Sequence, residues 1–86
     1  MSDSLAGALP DYVVDARGLY CPEPVMLLHN AVRDTLPGQR ITLLATDPST
    51  RRDVPRFCQF LGHTLLGMDE AEDAFTFYLC RGGVND

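Results

Sequence analysis

Two stretches of this sequence carry the spacing of an amphipathic helix, and each lies between β-prone runs, which restricts the chain to very few architectures. From Pro22 to about Thr35 the apolar residues Val25, Leu28, Ala31 and Val32, with Leu36 just beyond, recur on one helical face, and Pro37-Gly38 supplies a stop. Val54, Phe57, Cys58 and Leu61 repeat at i, i+3, i+4 and i+7, ending near Gly62. Proline suits a first turn, so Pro55 places the cap of this second helix at Asp53 and an irregular turn over Ser49 to Arg52. Tyr12-Val13-Val14 and the alternating Ile41, Leu43 and Ala45 read as strands, the second ending at Asp47-Pro48. Two more strands are expected over Thr64 to Met68 and Ala74 to Cys80, joined by the acidic Asp69 to Asp73 stretch as a hairpin loop. The order is βαβαββ. Two helices cannot cover both faces of four strands, so the expected fold is a two-layer α/β (α+β) sandwich, a mixed four-stranded sheet with both helices on one face. Phe75, Phe77 and Leu79 should point toward them.

The length of 86 residues suits one domain, expected over 11–83, with a flexible N-terminal tail over 1–10 and a short C-terminal tail over 84–86. No apolar run is long enough to span a membrane, and the opening residues lack the pattern of a signal peptide, so the cytoplasm is the expected location and no membrane is an expected partner. Twelve acidic residues face seven arginines and no lysine, giving a net charge of −5 that repels nucleic acid on average. The cysteines Cys21, Cys58 and Cys80 are odd in number and widely spread, which argues for reduced thiols. No Cys-x-x-Cys pair or Cys/His cluster has zinc spacing, so no metal is expected.

The chemistry concentrates at Arg17-Gly18-Leu19-Tyr20-Cys21-Pro22-Glu23-Pro24, which leads from strand to turn to helix and leaves Cys21 at or beside the helix cap. A helix N-terminus favours a thiolate, so the expectation is a lowered Cys21 pKa. Gly18 suits the turn, Pro22 at the first helical position and Pro24 stiffen the start, and the N–H groups of Glu23 and Val25 are candidates to hold a sulfur anion, though the Glu23 charge opposes it. Cys58 lies on the apolar stripe of the second helix and reads as buried and inert. Cys80, on the strand face opposite Phe75, Phe77 and Leu79, reads as structural and partly exposed. His29 reads as a surface polar residue on an exposed flank, and His63 as a satisfied structural histidine.

These residues resemble the TusA-type sulfur carriers, the SirA-like family, whose signature is Cys-Pro-x-Pro opening the first helix. The likeness runs from about residue 12 to 83, through Asp15-Ala16-x-Gly18-Leu19-x-Cys21-Pro22-Glu23-Pro24-Val25-Met26, Pro37-Gly38, Asp47-Pro48, Arg52-Asp53-Val54-Pro55, Phe57-Cys58 and His63. His29-Asn30 depart from it where a basic residue often stands. The resemblance implies a βαβαββ sandwich and a sulfurtransferase role. Cys21 would take sulfane sulfur as a persulfide from a cysteine desulfurase or rhodanese-like donor and pass it to a DsrE/TusBCD-like acceptor, with no bound cofactor needed. In the family such relays feed 2-thiouridine formation in tRNA, molybdenum-cofactor biosynthesis or sulfur oxidation.

Partner docking would need exposed anchors around the thiol. Met26, Arg33 and Phe60 leave the core stripe by helical phase, and Asp47, Arg51 and Arg52 on the loop after the second strand could add charge complementarity. The carrier is expected to be a monomer that does not bind nucleic acid directly. The alternative from another class is a non-catalytic redox-regulatory or interaction module. An enzyme with a full nucleophile, base and oxyanion site is disfavoured because both histidines lie outside the Cys21 loop and no Ser/His/Asp signature is present.

Overall fold

A computed structural model describes residues 9–83, so residues 1–8 of the expected N-terminal tail and all of the C-terminal one lie outside the described residues. The elements follow the expected order: β1 Tyr12–Ala16, α1 Glu23–Asp34, β2 Arg40–Ala45, α2 Thr50–Leu61, β3 Thr64–Glu70 and β4 Phe75–Cys80. Across the sheet the order is β1-β2-β4-β3, with β1 parallel to β2 and the remaining pairs antiparallel. Period-two burial selects one face. Val14 and Ala16, then Ile41, Leu43 and Ala45, then Phe75, Phe77 and Leu79 join Leu28 and Ala31 of α1 and Val54, Phe57 and Cys58 of α2 in a single core. Each large apolar side chain in that core contributes about 1.5–3 kcal/mol, so a one-residue slip of any central strand would expose its whole set.

Two of these boundaries differ clearly from the sequence expectation. Helix α2 begins at Thr50 rather than after an Asp53 cap, which puts Arg51 and Arg52 in its first turn instead of on a loop. The carbonyl of Asp47 organises this start, accepting the Thr50 N–H at 3.0 Å and its hydroxyl at 2.6 Å, while the Arg51 and Asp53 N–H groups reach Pro48 and Ser49. Pro55 therefore sits inside the helix. The carbonyl it leaves without a donor is that of exposed Arg51, where water can serve it. Strand β3 runs on through Asp69 and Glu70, residues expected in the hairpin loop, because Tyr78 donates to Asp69 and Arg51 pairs with Glu70. A register shift between Leu65 and Gly67 marks a bulge that blunts this edge strand. Leu36 and Leu61, counted on the helical stripes, are 54% and 40% exposed because each lies at or beyond the last turn.

The far ends of the elements are tied together by Arg81 and Gly82. The Arg81 backbone bonds both ways to Gly38 and Gln39, and its Nε donates to the Val32 carbonyl in the last turn of α1. Gly82 N–H donates to His63 Nδ1 at 2.8 Å, as expected of a satisfied histidine. Helix α2 closes on Gly62 with φ +78°, a left-handed cap. These ties leave the opposite end of the layer, where both helices begin, as the place where loops gather.

Candidate functional site

Because β1 and β2 are parallel neighbours, their carboxyl ends lie side by side, and each feeds a loop into the start of a helix. That topology places the residue 17–22 loop against the 46–49 loop. Gly18, at φ +82°, donates its N–H to Thr46 Oγ1 at 2.8 Å, and Cys21 donates its N–H to Asp47 Oδ2 at 2.8 Å. A side chain at position 18 would have room but would strain the left-handed backbone. Asp47 also accepts the Ser49 hydroxyl at 2.7 Å and the Ser49 N–H at 3.2 Å. Those bonds, the hydroxyl's first, hold the Asp47 pKa below the usual carboxylate value.

Helix α1 starts one residue later than expected: Pro22 is the cap, Glu23 the first helical residue, and Pro24 follows it. Cys21 therefore stands just before the cap, exposed. The first turn has few free donors. Pro22 and Pro24 have no N–H, that of Glu23 goes to the Tyr20 carbonyl at 2.9 Å, and that of Met26 goes to Pro22 at 3.1 Å. Of the two N–H groups expected to hold a sulfur anion, the one on Glu23 is thus occupied, and only that of Val25 lacks a partner among the described residues.

The expected lowering of the Cys21 pKa is corrected to a rise. The Asp53 carboxylate, as hydrogen-bond acceptor for the protonated sulfur, is the largest cause. Desolvation and the charges of Asp53 and Asp47 act in the same direction, against a smaller pull from Arg52. Two carboxylates stand beside a helix start with few free donors, and their charge disfavours a thiolate. Asp53 is the residue that sequence reasoning, having made it a helix cap, did not place in the site.

Cys21 opens onto a cleft between the helices, lined by Pro22, Val25 and His29 of the α1 side and by Asp53, Arg56, Phe57, Gln59, Phe60 and Leu61 of α2. Phe60 is 90% exposed, as its helical phase predicts. Tyr20 and Met26 are exposed too, although neither lines the cleft. His29 is exposed, as expected, but is more than a bland surface residue: it forms one wall, its ring edge-on to Phe57 at 4.9 Å. Phe57 in turn stacks on His63 at 5.5 Å. Arg33 is not brought to the thiol. It lies ten residues beyond Glu23, roughly 15 Å along the helix axis, and bonds to Asn30. Arg51 pairs with Glu70 at 3.8 Å and Arg52 with Asp53 at 3.3 Å.

The other thiols are elsewhere. Cys58 is 3% exposed, and burial pushes its pKa up to about 11. Cys80 is half-buried on the sheet face away from the helices. Among the described residues, no group of three or more His, Cys, Asp or Glu side chains could hold a metal ion, and no helix is long and apolar enough to cross a membrane.

Comparison with known proteins agrees with this geometry. Residues 12–81 match the family described as Sulfurtransferase TusA. The chain is 54% identical over 69 residues to the sulfur carrier protein TusA of Pseudomonas paraeruginosa, covering 80% of this chain and 87% of that one. It is 60% identical over 68 residues to that of Pseudomonas putida strain GB-1, covering 79% and 82%. Against the namesake from Pseudomonas syringae pv. tomato the identity is 48% over 79 residues, 92% and 94% of the two chains. A signature thiol at the mouth of an interhelical cleft, a βαβαββ sandwich and matches across most of both chains lead to one conclusion: the chain belongs to the TusA family.

Proposed function

We propose that this protein is a sulfur carrier in which Cys21 takes up sulfane sulfur as a persulfide and relays it to an acceptor protein. The observation that carries the reading is a single exposed thiol at the mouth of an apolar cleft, with Cys58 buried and Cys80 across the sheet. A resolving thiol beside Cys21 would convert a persulfide into a disulfide and release the sulfur. A carrier needs that thiol to be absent, whereas a dithiol reductase needs it present.

Loading is an exchange without net oxidation. The Cys21 proton leaves to solvent, the thiolate attacks the outer sulfur of a donor persulfide, the donor S–S bond breaks, and the donor departs as a thiolate. Cys21 then carries the outer sulfur, and an acceptor thiolate removes it by the same step. The chain acts as a stoichiometric relay, a sulfurtransferase whose substrates are other proteins: a cysteine desulfurase or rhodanese-like donor and a DsrE/TusBCD-like acceptor, with tRNA thiolation or related sulfur trafficking as the destination. The cleft of 720 Å³ is far larger than one sulfur atom needs, and its size and apolar lining suit a partner side chain. Met26 and Phe60 would serve as anchors near the thiol, Asp47, Arg51 and Arg52 would shape the charge beside it, and Arg33 would contact only a partner large enough to follow α1. Gly18, Pro22, Glu23 and Pro24 shape the loop that presents the sulfur.

With a cysteine desulfurase and radiolabelled cysteine, the wild-type chain should take up label that a reductant removes, and Cys21→Ser should take up none while keeping its far-UV circular dichroism. Equal labelling of folded Cys21→Ser would end this reading.

A further inference from the structure

The sulfur site contains a feature that simple activation of a nucleophile would not call for. Cys21 stands before a helix whose first turn has one free N–H among the described residues, yet it faces carboxylates from two directions. Asp47 holds the Cys21 N–H at 2.8 Å from the β2–α2 loop. Asp53 comes from α2, lines the same cleft as Cys21, and has a side chain only 18% exposed. Its counter-charge is Arg52, at 3.3 Å and 62% exposed, so the cation is mostly in water while the carboxylate is turned inward. The other charged or titratable groups at the cleft are Arg56 on α2 and His29 on α1, with Glu23 next but one to Cys21 along the chain. A carboxylate in such cover acts on a neighbouring sulfur more strongly than exposed arginines can offset, because solvent screens the exposed charges.

We propose that Asp53 is a positioning residue of the sulfur site: its sheltered carboxylate shares the cleft with Cys21 and opposes negative charge on the sulfur in the free carrier, so that loading requires a donor that brings a cationic side chain to Asp53. Pairing of that cation with the carboxylate removes the opposing charge, the proton passes to bulk buffer, and the thiolate forms only in the docked complex. The free carrier is thereby spared from alkylation and oxidation, which need the thiolate. The loading part of this inference rests on the carrier reading, but its test needs no sulfur donor, so the two can fail separately.

The test is the pH profile of Cys21 alkylation by iodoacetamide on the full chain, followed at the Cys21 peptide. Asp53→Asn should move the midpoint to lower pH and speed alkylation at pH 7 severalfold, since the rate follows the thiolate fraction. Asp53→Glu should stay near wild type. A merely structural role for Asp53 would alter the melting temperature and leave the midpoint where it is, and an unmoved or raised midpoint in folded Asp53→Asn overturns the proposal. Should Asp53→Asn fail to fold, the wild-type chain decides. Cationic aminoethyl methanethiosulfonate should outpace the anionic sulfonatoethyl reagent by a ratio severalfold above that for a free cysteine peptide. A ratio equal to that of the peptide contradicts an anionic site that waits for a cation.

Discussion

At Cys58 and Cys21 one residue type serves two ends, and the difference comes from surroundings that the sequence discloses unequally. Cys58 was legible: an apolar stripe with i, i+3, i+4 spacing puts it in the core, and it is buried there beside Phe57 and Val54. Cys58→Ser would place a hydroxyl among apolar neighbours and should lower the unfolding free energy by about 1–3 kcal/mol, measured by urea denaturation, with alkylation of Cys21 unchanged. The position of Cys21 was legible as well, from a glycine turn followed by two prolines. Its electrostatics were not, because Asp47 and Asp53 lie 26 and 32 residues away and meet the thiol only after two parallel strands align their ends. His29 shows the same limit: its helical phase gave its exposure, but not that Phe57 from the other helix would make it a cleft wall.

Among the elements, α2 departs most from what its residues suggest. Pro55 argues for a first turn, yet the helix begins five residues earlier because Asp47-Pro48 forms a turn whose carbonyls capture the Thr50 and Arg51 N–H groups. Local hydrogen bonding at Asp47 outweighs the loss of one backbone bond at Pro55. The other end was plain from sequence, as Gly62 follows the stripe directly and caps the helix at φ +78°. Gly62→Ala should cost about 1–2 kcal/mol through the left-handed backbone alone, read as a lower urea midpoint with an unchanged slope. Gly82 carries a tighter constraint. A Cβ there would collide with the Gly62 carbonyl oxygen, so Gly82→Ala should detach the His63 bond and raise amide exchange at the end of β4.

The whole molecule joins these elements into a layer with a tied end and an open end, and the two ends respond to different conditions. At the tied end, burial first and then the charges of Arg81 and His29 lower the His63 pKa, and Nδ1 must stay unprotonated to accept the Gly82 N–H. A base whose folded pKa is lowered contributes stability that is present above its unfolded value of about 6.5 and is lost as pH falls below it. The urea midpoint should therefore decline as pH drops below 6.5, before the further loss when Asp15, held down to about 2 by its Arg17 partner, and Asp47 take up protons. His63→Gln should remove the first decline only, and a wild-type midpoint flat from pH 7 to 5 would contradict the assignment. Cys58 acts at the alkaline side, where stability should fall as pH rises past the unfolded thiol value toward about 11. The fold order and single-face packing could be read from hydrophobic period alone, whereas the junction of the two loops is a property of the assembled sheet. That junction is where Cys21 is presented, and the direct test of its role is the intact mass of the reduced chain after incubation with a cysteine desulfurase, pyridoxal phosphate and cysteine, followed by peptide mapping. A gain of about 32 Da, removed by dithiothreitol and confined to the Cys21 peptide, is the predicted result; a gain that maps to Cys58 or Cys80 and survives Cys21→Ser would contradict it.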